Sequence, residues 1–238
     1  MKNSQIYCSI LCIWLFSCQN GSHPIGNVKK ENYLKEYSLR ISIDGVPSKS
    51  TAYLNILEAQ QLKRIDNAPL INHQFHFKGH LKEPSFIWLT FDYTSQGIPF
   101  ILEASNIHIS SEVLHLKSAL VKGGPLNKSY TDFKRKSSLF FSKIDVFYQR
   151  FQKARLENNS QELALIHKEI SDIKAAYFQF CINYIHKHPD SFVSLIVLND
   201  LIDEKVEKKK LFNAFSTCTD RLKKNAFAQI IQTRINEL

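Results

Sequence analysis

The stretch HQFHFKGHLKEPSFIWLTFDY, residues 73–93, decides the class of fold. In its first third, Phe75 and Phe77 fall on one side of an extended chain, and His76 and Lys78 fall on the other. That alternation is the mark of a strand with one buried face. SFIWLTFDY then forms a near-continuous apolar run of strand length. Working outward, SLRISIDG places Leu39, Ile41 and Ile43 on one face and turns at Asp44-Gly45. TAYLNILEA, IPFILE, NIHIS and EVLHLKSALV supply further β-like runs. Short period-two runs separated by Gly, Pro, Asn and Asp predict an antiparallel meander or small sandwich over residues 37–122.

The period changes at Gly123-Gly124-Pro125. Leu126, Tyr130, Phe133, Phe140, Ile144, Phe147 and Phe151 recur at spacings of three, four or seven, which predicts an amphipathic helix. ENNSQE interrupts it, and Asn159 with Glu162 three residues on resembles a capping box. A second long helix carries Leu163, Ile166, Ile170, Ile173, Tyr177, Phe180 and Tyr184, and must stop near His188 because Pro189 follows. Two long helices joined by a short polar turn are expected to pack as an antiparallel hairpin, with the aromatic stripe as its core. PDSFVSLIVLNDLI starts another helix, capped by Asp190 or Ser191. Shorter helices are expected around Leu211 to Phe215 and from Thr219 onward. The class is therefore α+β, with an all-helical segment over residues 123–238.

The front of the chain is of a different kind. Lys2 is followed by an apolar run from Ile6 to Phe16, broken by Ser9. The run is too short to span a bilayer, which needs about 20 apolar residues as a helix. A charged start, a short apolar middle and a small residue at the end predict a signal peptide over residues 1–17. Leu15-Phe16-Ser17-Cys18 resembles the bacterial lipobox, which implies diacylglyceryl transfer to Cys18. Phe16 is bulkier than the residue usual at its place. One acyl chain holds weakly and two hold stably, so such modification implies a lasting membrane anchor. Cys8 and Cys12 would be lost with the signal. QNGSHPIGNVKK then predicts a flexible tether over residues 18–36. Its first acid is Glu31, and the lack of an acidic cluster behind Cys18 favours an outer-membrane protein facing the periplasm.

An apolar content of 44%, with 17 Phe and only 7 Gly, supports a packed core. The net charge of +9 invites a nucleic-acid reading. Export argues against it, and Lys134-Arg135-Lys136 and Lys208-Lys209-Lys210 are not interleaved with stacking aromatics. A solvated helix face explains these clusters, and attraction to anionic headgroups is the alternative. Cys181 and Cys218 form no C-x-x-C pair; a structural disulfide and two buried thiols are both open readings. His76 and His80 share a strand face about 13 Å apart, too far to ligate one metal ion. His73 would point the other way, and His108 and His115 lie on neighbouring runs. His186 and His188 sit where a helix dipole favours cations. No metal site, cofactor or catalytic set is assigned.

FHFKGHLKEPSFIWL, IPFILEASNIHIS, ALVKGGPLNKSYTDF and HPDSFVSLIVL together resemble Bacteroidetes lipoproteins related to TlpA and ResA. In these, a lipobox and an all-β domain of unknown function precede a helical hairpin and then a thioredoxin-like domain. The resemblance runs from Leu39 to about Leu201. The redox chemistry of that family belongs to the thioredoxin-like domain, for which the helical residues after Leu201 leave no room. The expected function is a lipid-anchored, non-enzymatic binding or accessory module with a protein or ligand partner. The alternative is an accessory to a thioredoxin-like thiol–disulfide system. A hydrolase finds no support, since neither Gly-x-Ser-x-Gly nor HExxH is present.

Overall fold

A computed structural model describes residues 34–58 and 61–238. The signal peptide, the lipidation site Cys18 and most of the tether lie outside the described residues. The α+β reading holds: two four-stranded sheets over residues 35–122 are followed by seven helices. The strands are β1 (Lys35–Asp44), β2 (Thr51–Glu58), β3 (Gln61–Pro69), β4 (Phe75–Leu81), β5 (Ser85–Phe91), β6 (Thr94–Leu102), β7 (Asn106–Glu112) and β8 (Leu120–Lys122). The helices are α1 (Pro125–Asp145), α2 (Phe147–Leu156), α3 (Ser160–Lys187), α4 (Phe192–Asp203), α5 (Lys208–Ser216), α6 (Asp220–Lys223) and α7 (Ala226–Glu237).

One sheet has the order β4-β1-β7-β8 and the other β3-β2-β5-β6. Leu39, Ile41, Phe75 and Ile109 of the first meet Leu54, Ile87, Leu89 and Phe100 of the second in one core. The arrangement is the small sandwich, not the meander. It also departs from all-antiparallel pairing, because β1 and β7 run parallel, with Leu39 opposite Ile107. Parallel neighbours need a long crossover rather than a hairpin, and here the intervening chain builds the other sheet.

Four segments differ from expectation. β3 falls outside the expected β-like runs, because it is a polar edge strand with almost every residue exposed. The run EVLHLKSALV is not one strand. Residues Val113–Ser118 form a 3-10 turn that buries Leu116, and only Leu120–Lys122 pairs with β7. The first long helix is divided at Val146, and the C-terminal helix is divided into α6 and α7, capped separately by Thr219 and Asn225.

The helical hairpin forms as the aromatic spacing predicts. Phe133 stacks on Phe180 at 5.4 Å, Phe140 meets Tyr177 at 5.7 Å, and Phe151 meets the His167 ring at 6.2 Å. Rising numbers on α1 and α2 against falling numbers on α3 make the pair antiparallel. The Asn159 side chain accepts the Glu162 N–H at 3.0 Å, as a cap should. The reciprocal half of the box is replaced, because the Glu162 carboxylate takes Arg150 at 2.7 Å instead. α4 is the hub. It begins with Ser191 accepting the Val193 N–H and buries ten of its residues, so its apolar run FVSLIVL is covered all round.

Polar contacts join the two halves at two places: Asn225 and Ala226 at the start of α7 donate to Pro84 and Glu83, and the start of α1 meets the end of β6. The buried Glu103, just past β6, accepts the Leu126 N–H at 3.1 Å and the Asn127 N–H at 2.8 Å. These are orphan donors of the first turn of α1, at the positive end of its dipole. The Asn127 carboxamide lies against the edge of β6, accepting the Ile101 N–H at 3.0 Å and donating to the Ile101 carbonyl at 2.6 Å. It also donates to Glu103 at 3.1 Å. The approach requires glycine: Gly124 has φ +82°, and a Cβ there would overlap the Glu103 carboxylate. Gly123, with φ +94°, would collide with the Asn106 carbonyl.

Glu103→Ala is expected to lower the unfolding free energy by about 2–4 kcal/mol, since it orphans three buried donors. Gly124→Ala should cost more than about 1 kcal/mol through its backbone conformation and the overlap. The double variant should lose less than the sum, because the first change removes the group that the second strikes. Urea midpoints of the four proteins check this, and additive losses would contradict it.

Candidate functional site

The outer face of the β2–β5 sheet is not solvated. Phe86 and Trp88 point away from the sandwich core and pack on the helices, with Phe86 edge-on to Tyr130 at 6.0 Å and tilted against Phe227 at 5.8 Å. This explains why SFIWLTF is apolar almost throughout: its odd and even residues enter two different cores. Where the β2–β3 hairpin runs past this seam, a cleft of about 430 Å³ opens between Leu57, Leu62, Phe86 and Trp88 on one side and α4 and α7 on the other. A smaller space continues from Leu57, Phe86 and Phe227 towards Pro84 and Asn225.

The cleft combines an apolar wall with a fixed polar end, the usual composition of a binding site. Arg234 of α7 reaches Asn199 at 2.5 Å and Asp203 at 2.6 Å, both on α4. Its side chain is only 19% exposed, whereas that of Asp203 is 59% exposed. Planar guanidinium, carboxamide and carboxylate groups held in this way present hydrogen-bonding edges beside the Trp88 ring without needing to move. The arrangement suits reversible binding of a group with an apolar body and a polar end. Sequence reasoning assigned none of these residues. Trp88 and Phe86 sit inside a strand, and Arg234 lies in an unremarkable helix. The available signal was the unbroken apolarity of β5, which demands a cover on both faces.

The residues singled out from sequence lie elsewhere. Cys181 and Cys218 are free thiols, both buried. Burial pushes the Cys181 thiol up to about 12 and Cys218 up to about 11, so neither supplies a thiolate at neutral pH. His76 and His80 point outward from β4, and His73 lies in the turn before it with φ 61°. His108 touches Ser42 at 3.4 Å, and His115 touches Glu112 at 3.2 Å, so the two have separate partners. His188 ends α3 with its ring 4.6 Å from Tyr184. Among the described residues no three His, Cys, Asp or Glu side chains are placed to share a metal ion, and no helix is long and apolar enough to cross a membrane.

One carboxyl beside the helical core has an altered affinity for protons. Asp200 of α4 is mostly buried, and burial, with Asp203 and Glu204 close by, raises its pKa to about 7. The same charge bears on Tyr130, Tyr177 and Cys181. Between the ordinary carboxylate range and about 7, the folded chain holds a proton that the unfolded chain has released. Stability from this group therefore falls as pH rises through that window. The advantage of Asp200→Asn over the parent in melting temperature is expected to be about 4–8 °C larger at pH 8 than at pH 5, for on the order of 2 kcal/mol. Thermal melts at the two pH values test it, and equal differences at both would contradict it.

No curated protein matches this chain. A family model does match residues 37–130: DUF4369, a domain of unknown function. The matched span takes in both sheets, Trp88, the Glu103 knot and the start of α1.

Proposed function

We propose that this chain is a lipid-anchored, non-enzymatic binding module of the cell envelope, held by Cys18 and facing the periplasm. It engages a protein or ligand partner in the cleft beside Trp88. The observation that carries the binding reading is the preformed meeting of the Trp88–Phe86–Leu62 wall with Arg234, itself oriented by Asn199 and Asp203. The anchor rests on the sequence Leu15-Phe16-Ser17-Cys18.

The second reading, an accessory to a thioredoxin-like thiol–disulfide protein, draws support from the DUF4369 match. That match covers the all-β part of the architecture resembling TlpA-related lipoproteins. In this reading the module docks and does not exchange electrons, because its two described thiols are buried and protonated at neutral pH.

A photo-crosslinking side chain at Leu62, on the exposed rim of the cleft, should give a discrete adduct in intact cells. Trp88→Ala should abolish that adduct, and the same crosslinker at Leu120 on the other sheet should give none. An adduct that survives Trp88→Ala would remove the cleft from the mechanism; a thioredoxin-like protein in the adduct would select the second reading. In the same cells, Cys18→Ala should abolish lipid labelling and let a high-salt wash release the protein into the soluble envelope fraction. Continued membrane fractionation and unchanged lipid labelling would contradict the anchor.

A further inference from the structure

We infer that the outer face of the α1–α2 rod is a docking surface for a bilayer containing anionic phospholipid. Arg135, Leu139, Lys143, Val146, Arg150 and Lys153 follow one another at spacings of four, four, three, four and three, so they share one helical face. The junction does not break the phase, because Val146 keeps helical backbone angles of φ −62° and ψ −27°. All six are exposed. The apolar members are conspicuous, with Leu139 62% and Val146 70% exposed.

The charge along this stretch is predominantly positive. Residues 134–156 contain seven Lys or Arg and a single acid, Asp145. Arg150 is committed to Glu162 and Glu169 of α3. The others are nearly unspent. Arg135 stands 3.7 Å from Asp132, Lys153 stands 3.9 Å from Glu157, and Lys143 contacts only the Phe140 ring, at 5.9 Å. A solvated face accounts for the cations and leaves Leu139 and Val146 unexplained. A basic helix face with interleaved aliphatic residues is the pattern that lies on anionic membrane surfaces. Lys and Arg meet the headgroups while the aliphatic side chains enter the acyl boundary. A protein hot spot would want a packed pocket, and these six residues are exposed along one helical face. The inference stands whether or not Cys18 carries lipid.

The test uses the full chain in sedimentation titrations with vesicles of phosphatidylcholine, with and without phosphatidylglycerol. Lys143→Glu/Lys153→Glu should need at least about ten-fold more anionic lipid for half-binding than the parent. Leu139→Ser/Val146→Ser should weaken binding in the same direction, with the helical circular dichroism unchanged. On phosphatidylcholine alone the parent and the charge variant should behave alike, so whatever residues 1–33 contribute cancels in the comparison. Raised salt should narrow the gap on anionic vesicles, because screening weakens exposed charges. Coincident titrations of parent and variants on anionic vesicles would overturn the inference. So would an equal loss on neutral vesicles, or capture of an acidic protein by a crosslinker at Val146 without any preference for phosphatidylglycerol.

Discussion

The carboxylate of Glu103 is the constraint on which the rest of the molecule depends. It is an acid buried at the end of a sheet, a position that is costly unless every lone pair is used. Its solution is the opening turn of a helix, where backbone donors stand free and the dipole is positive. Asn127 completes the arrangement by offering the last strand of the sheet a substitute for a neighbouring peptide. Two glycines let the chain come close enough for this to happen. The direction of α1, and through it the hairpin and the α4 hub, follows from a contact only a few side chains wide.

That direction sets the second property of the fold, a strand shared between two cores. Ile87, Leu89 and Phe91 of β5 belong to the sandwich, while Phe86 and Trp88 belong to the helical side. The helices do not cover the sheet completely. Where they stop, Trp88 and Arg234 line a residual gap, which is the cleft. The proposed binding surface would therefore come from incomplete packing between two layers and not from a loop.

The sequence conveyed the elements better than their partners. The alternation in HQFHFKG, the three-and-four spacing from Leu126 to Tyr184 and the Pro189 stop are local signals, and the structure follows them. The β3 strand was illegible because an exposed edge needs no apolar alternation; Lys63 pairs with Glu58 and Arg64 lies over the Tyr53 ring, contacts that leave no periodic signal. The parallel β1–β7 pair was illegible because strand order is decided by long-range closure. The capping box at Asn159 was half legible, since Arg150 competes for Glu162 from another helix. The cleft escaped notice for the same reason as the β1–β7 pair: Trp88 and Arg234 are far apart in the chain, and long-range packing brings both to one cleft. Gly123-Gly124 was visible as a change of period, yet its role in letting a carboxylate approach was not.

The long free margin of the second sheet has a consequence for life in a crowded compartment. Its other margin, β6, is occupied at Ile101 by Asn127. β3 stays open, but it is bent by an extra residue at Ile65, bristles with Lys63 and Arg64 and finishes at Pro69, which has no amide hydrogen to give. A second copy approaching edge to edge would meet a kinked, cationic ribbon that cannot be extended in step. Edge-to-edge extension into fibrils is thus disfavoured, through a margin that carries no apolar alternation in the sequence.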